Sequence, residues 1–179
     1  VAKLQGVKTV LLTMRQHIKR EDVNEHACAL LRSVSEASDG CRKLVLEAHG
    51  LPMLCAVMKR HSLAPSLQRD GVAALASLAT MPQGLKALAS EKEGVEVLVA
   101  GMLLCAREKL DFAAARGALQ ALADAEPALL KRINMANGKK WLAGPDGAAP
   151  ADAVTPGEEV EPVDGKAGEA EEVEAATGA

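Results

Sequence analysis

The sequence predicts an all-α protein built from repeated helices, and three observations carry that prediction. Glycines recur at Gly6, Gly50, Gly94 and Gly138, each 44 residues after the last, with apolar residues recurring in phase around them. Within a period the apolar positions fall at i, i+3, i+4 and i+7, the spacing of one buried helical stripe. The 179 residues are 49% hydrophobic but only 1% aromatic (Phe112 and Trp141, with no Tyr), so the core must be built from Ala, Leu, Val and Met. Such residues suit close-packed helices better than a sheet of β-branched and aromatic side chains.

The period holds without gaps. Val7, Leu51 and Val95 share one phase, as do Val10, Leu54, Leu98 and Leu142, then Met14, Met58 and Met102. Leu31, Leu75 and Leu119 repeat again, with Val34, Leu78 and Leu122; His17 and His61 share a phase that Cys105 fills in the third copy, and Gly40 and Gly84 form a further pair. After each phase-marking glycine comes a helix, most clearly Leu51, Leu54, Cys55 and Met58. It closes on Lys59, Arg60 and His61, cations placed where the negative end of the helix dipole favours them. A break at 62–65 leads to a second stripe, Leu67, Gly71, Leu75 and Leu78, matched in the first copy by Val23, Ala27, Leu30, Leu31 and Val34. A third, shorter helix is expected over 41–49, 84–93 and 127–137, with the glycines breaking the chain before the next helix begins.

Three helices in about 40–47 residues is armadillo-type arithmetic, and the residues support it. The run CRKLVLEAHGLPML from Cys41, followed by GVAALASLA from Gly71, resembles an armadillo repeat. That family's pattern is a short helix closing in V-E-A-G, then I-P-x-L-V, then A-A-x-A-L-x-N-L-A. The likeness covers residues 1–143 and is weakest in the third copy; a HEAT-like arrangement of the same helices is the alternative. The resemblance implies a right-handed α-solenoid of about three repeats, each burying its apolar face against its neighbours. It also implies that partners lie along a concave face lined by the helices of the GVAALASLA type.

In importin-α-like members that face carries a Trp and an Asn four residues apart. Here the Trp phase holds Ala29, Ala73 and Gly117 and the Asn phase holds Ser33, Ser77 and Ala121, so binding of nuclear-signal peptides is not expected. The contact candidates are instead the sparse polar residues of the face: Glu25, Arg32, Ser33 and Glu36, then Arg69, Asp70 and Ser77, then Gln120 and Asp124.

The two ends read differently. Val1 falls in the phase of Val45, and no cap for the N-terminal edge is evident, so the expectation is a fragment, a processed chain, or an edge that stacks on another protein. Trp141 and Leu142 are expected to open one more helix, stopped by Gly144-Pro145, with Trp141 covering the last apolar edge. Residues 144–179 hold ten carboxylates against one base, Lys166, a formal charge of −9 that leaves +6 on residues 1–143. They contain no Leu, Ile, Met or aromatic residue but four Pro and six Gly, and cannot offset an ordering cost of about 1–2 kcal/mol per residue. A disordered acidic tail is expected there.

Composition excludes several functions. Base-stacking platforms, aromatic cages for cations and aromatic grooves for proline-rich peptides need rings that this chain lacks. No apolar run reaches the length of a membrane span, and Val1 opens no signal-peptide pattern. Cys28, Cys41, Cys55 and Cys105 form no C-x-x-C pair and read as reduced thiols in the cytoplasm or another reducing compartment. His17 and His61 owe their spacing to the repeat and do not converge on one metal ion, so capping is their expected role. Gly138-Lys139-Lys140 resembles a phosphate loop only faintly, since Ile133 stands where the leading Gly belongs and no strand precedes it.

No catalytic constellation, metal or cofactor is expected. The reading is a non-catalytic protein-interaction module, a scaffold or peripheral subunit of a larger assembly, binding through the solenoid surface or by end-on stacking. The alternative is nucleic-acid binding by the basic body with an autoinhibitory acidic tail. Against it, Arg15, Lys19, Arg20, Arg42, Lys43, Lys59, Arg60, Lys139 and Lys140 scatter over several phases.

Overall fold

The structure, a computed structural model, describes residues 2–142; the acidic segment lies outside the described residues. Every described element is a helix, as predicted. They are α1 (Ala2–Gln16), α2 (Glu21–Ala37), α3 (Asp39–Glu47), α4 (Gly50–Arg60), α5 (Pro65–Ala79), α6 (Pro82–Ser90), α7 (Gly94–Arg107), α8 (Ala113–Ala125) and α9 (Leu129–Met135), followed by a single 3-10 turn, Lys139–Trp141. The order is long, long, short, three times over. α1 meets α4 and α4 meets α7 in one row; α2 meets α5 and α5 meets α8 in another. The short helices sit in the seams, α3 against α1, α2, α4 and α5, and α6 against α4, α5, α7 and α8.

One continuous core runs through both rows. Val7, Leu51 and Val95, Met14, Met58 and Met102, and Leu31, Leu75 and Leu119 are all buried in it. Cys28, Cys55 and Cys105 are buried too, and desolvation pushes the first two thiols up to about 12 and the third to about 11. The stripe fails at one residue. Leu30 is 47% exposed, whereas Ala74 and Ala118 in the same phase are buried. The later two have a preceding helix pair packed over them, and Leu30 has none among the described residues.

The short helices begin elsewhere than expected. α3 starts at Asp39 because the Ser38 hydroxyl accepts a 3.2 Å bond from the Cys41 amide and caps the first turn. α6 starts at Pro82, whose fixed φ suits the first helical position, and α9 covers only Leu129–Met135. Two of the phase-marking glycines do not break the chain either: Gly50 and Gly94 are the first residues of α4 and α7, whereas Gly138 lies in the break between α9 and the 3-10 turn. Left-handed residues precede two of the glycines, His49 at φ 59° and Asn137 at φ 65°; Lys109, at φ 55°, lies between α7 and α8, and Glu93 before Gly94 is not left-handed. Glycine is needed for closeness, since a Cβ on Gly50 would stand 2.5 Å from Val45 Cγ1 and 2.9 Å from the Val45 carbonyl oxygen.

Two buried amides that the apolar pattern passed over tie successive helices together. Asn24 Nδ2 donates to the carbonyls of His17 (2.8 Å) and Arg20 (2.7 Å), at the turn between α1 and α2. Gln68, 44 residues on, donates to the carbonyls of Met58 (2.7 Å) and His61 (3.0 Å), at the turn between α4 and α5. Phe112 fills that phase in the third copy and meets Trp141 edge-on, 5.6 Å between ring centroids at 65°. His61 acts as a cap, its Nε2 lying 2.8 Å from the Ile18 carbonyl oxygen just beyond α1.

At the C-terminal end Arg132 on α9 forms a two-pronged pair with Glu96 on α7 (2.8 and 2.7 Å). It also donates to the carbonyls of Ala89, in the last turn of α6, and of Glu91 and Lys92 just beyond it. That guanidinium holds the Glu96 carboxyl below its ordinary range. The helix expected from Trp141 onward is reduced to the 3-10 turn, after which Leu142 is extended. Trp141 is nonetheless buried, with the Lys140 ammonium 4.8 Å from its ring centre.

Candidate functional site

The row α2–α5–α8 carries all nine contact candidates, and the structure gathers four of them. Asp70 on α5 is buried and accepts from Arg32 Nη1 on α2 (3.0 Å) and from Arg69 Nε and Nη2 (3.0 and 3.3 Å). Arg32 also donates from Nε to Glu36 (3.0 Å), one helical turn on. Both guanidinium pKa values rise: Arg32 chiefly through Glu36 and then Asp70, Arg69 chiefly through Asp70. The fork geometry matters here, because each arginine spends some N–H groups inside the network and keeps others toward solvent. The side chains of Arg32 and Arg69 remain 38% and 41% exposed.

Beside this network lies a cavity of about 140 Å³, lined by Arg32, Glu36 and Arg69 on one side and by Asp111, Phe112 and Ala114 at the start of α8 on the other. Fixed cations, a carboxylate and small side chains meet there in a concavity. Asp70 itself faces inward and orients the two arginines rather than meeting a partner. A burial this deep was not legible from its phase, since the charge is admissible only with two guanidinium partners from two helices.

The other candidates stay apart from the cluster. The Ser77 hydroxyl donates to the Ser35 carbonyl (2.9 Å), joining α5 to α2, where Arg42 also reaches that carbonyl (2.9 Å). Ser33 donates back to Ala29 (3.0 Å) on its own helix. Gln120 and Asp124 bond each other at 2.7 Å on α8, and Glu25 is half-buried on α2. Among the bases, Arg20 is paired with Asp22, Arg42 with Asp39 and Lys59 with Glu93, which removes three positive charges from any single patch.

Among the described residues no group of three or more His, Cys, Asp and Glu side chains could hold a metal ion, and no helix is long and apolar enough to cross a membrane. Comparison of the chain with protein-family models, curated proteins and solved structures gives no match.

Proposed function

We propose that residues 1–143 form a right-handed armadillo-like solenoid that serves as a non-catalytic protein-interaction module, in a scaffold or a peripheral subunit of an assembly. The observation that supports this most is the unbroken row α2–α5–α8 with the Arg32–Asp70–Arg69 network at its middle. A buried carboxylate holding two half-exposed guanidinium groups in fixed planes is suited to bidentate contact with a partner's carboxylates or backbone carbonyls. The partner lies along that row, and the ends of the stack offer a second mode. Residues 144–179 act as an acidic tether on a basic body.

The experiment is affinity capture from native extract with mass spectrometry, using the full chain and an Ala114→Arg variant. Ala114 is exposed on the rim of the cavity, so the arginine fills the concavity without entering the core. The expected result is a stoichiometric protein partner held by the parent and reduced at least tenfold with the variant. Equal capture by both would place the contact elsewhere. Capture of nucleic acid in place of protein, appearing once residues 144–179 are removed, would overturn the reading.

A further inference from the structure

The acidic residues of the chain follow a point beside the arginine cleft. Trp141 packs edge-on against Phe112, with 5.6 Å between ring centroids, and Phe112 itself lines the cavity of about 140 Å³ together with Arg32 and Arg69. Leu142 comes next, and the first carboxylates beyond it are Asp146, Asp152, Glu158 and Glu159. An extended chain covers at most about 3.6 Å per residue, so Asp146 can reach about 14 Å from Leu142 and Asp152 about 36 Å. A cleft one ring contact away lies inside those limits.

The charges are complementary. Around the cleft and the exit stand Arg32, Arg69, Arg116, Lys139 and Lys140, against Asp70, Glu36 and Asp111. Arg116 comes one helical turn after Phe112, its amide donating to the Phe112 carbonyl (3.2 Å), and Lys140 lies over the Trp141 ring. The three carboxylates are already engaged: Asp70 between both guanidinium groups, Glu36 on Arg32 Nε, and Asp111 on the Ala113 amide (2.9 Å). Arg116, Lys139 and Lys140 form no ion pair among the described residues. Cations are therefore in excess here, and residues 1–143 carry +6 against −9 on residues 144–179. One guanidinium can serve two carboxylates, as Arg32 does with Glu36 and Asp70; Arg69, bonded to Asp70 through Nε and Nη2, keeps Nη1 for another.

We propose that residues 146–159 of this chain dock their carboxylates on Arg69 and Arg32 in the cleft and so cover the contact face in cis. The inference rests on the reading of row α2–α5–α8 as that face, and it names an acidic peptide as the chemistry that binds there. A partner then competes with a tethered segment, whose effective concentration is set by the short linker after Leu142.

The test uses the full chain with Cys41→Ser and Ala151→Cys, carrying a nitroxide on position 151. Cys28, Cys55 and Cys105 are buried with raised pKa values and stay unlabelled. Amide NMR signals are compared with the nitroxide oxidised and reduced. The expected result is an intensity loss of about threefold or more at Arg32, Glu36 and Arg69, across the cleft from the exit, at low salt where exposed charges attract furthest. The loss should disappear in about 0.5 M sodium chloride. It should also disappear in a chain that adds Asp146→Asn, Asp152→Asn, Glu158→Gln and Glu159→Gln, four changes that leave every side chain of the described residues in place.

Loss confined to residues 112–116, on the exit side, would overturn the proposal, and so would loss that survives the four neutral substitutions. Equal loss on mixing a nitroxide-bearing chain with an isotope-labelled chain that lacks the nitroxide would assign the segment to a second copy, and would overturn it too. The NMR readout needs no partner, so a failed capture leaves the docking standing, and a failed docking leaves the capture standing.

Discussion

Leu75→Asp is expected to abolish cooperative unfolding. Leu75 is fully buried at the middle of α5, the helix that touches both rows and both neighbouring copies. Removing its side chain costs about 2–5 kcal/mol, and an unpaired carboxylate in its place adds several more. Together these approach the roughly 5–15 kcal/mol that holds a typical domain folded. Far-UV circular dichroism should show reduced helix content and a broad, shallow melt. Leu12→Asp is the control: Leu12 is 54% exposed and its variant should melt within about 2 °C of the parent. A Leu75→Asp protein that melts like the parent would mean that the phase assigned to α5 is wrong.

The second large effect belongs to Trp141. It is buried by its edge-on contact with Phe112 and closes the core beyond α8 and α9 through one 3-10 turn. Trp141→Ala should cost about 3–5 kcal/mol and lower Tm by roughly 10 °C or more. Phe112→Ala should shift the emission of Trp141, the chain's single Trp, to longer wavelength as water reaches the ring. An alanine variant that melts within about 2 °C of the parent would show that the terminal turn contributes nothing to the stack.

The helical class was readable because composition and periodicity agreed at every scale. A chain of Ala, Leu, Val and Met at i, i+3, i+4 and i+7 has few other ways to bury itself. The interior sites named by phase, such as Met58, Leu75 and Leu98, are buried. What the pattern missed depends on partners distant in sequence. Asn24 and Gln68 look like polar interruptions until the His17 and His61 carbonyls are seen to accept from them; their 44-residue spacing was the available clue. Arg132 gave no signal, because its partners on α7 and at the end of α6 lie 36 to 43 residues away. Leu30 was misjudged for the opposite reason, since an apolar phase reports what a stack would bury and not whether a neighbour stands there.

The glycines teach a related lesson. Their period was the clearest mark in the sequence, yet the left-handed turn falls to His49 before Gly50 and to Asn137 before Gly138. A glycine can be required by φ or by distance, and one sequence does not separate the two. For the candidate face, phase placed Arg32 and Arg69 on one row but could not turn Asp70 inward or bring Asp111 across from the loop before α8.

The claim on which the rest depends is that 44 residues make one interchangeable structural unit. Duplicating residues 50–93 after Glu93 tests it directly, because the inserted copy rejoins the chain in phase. A parallel insertion of residues 50–83 at the same site shifts every following helix by ten residues. The account predicts that the in-phase protein keeps its helix content per residue and melts cooperatively at or above the parent Tm, as added units do in stacked repeats. The out-of-phase protein should lose cooperativity. Two insertions that melt alike, whether both folded or both unfolded, would contradict it.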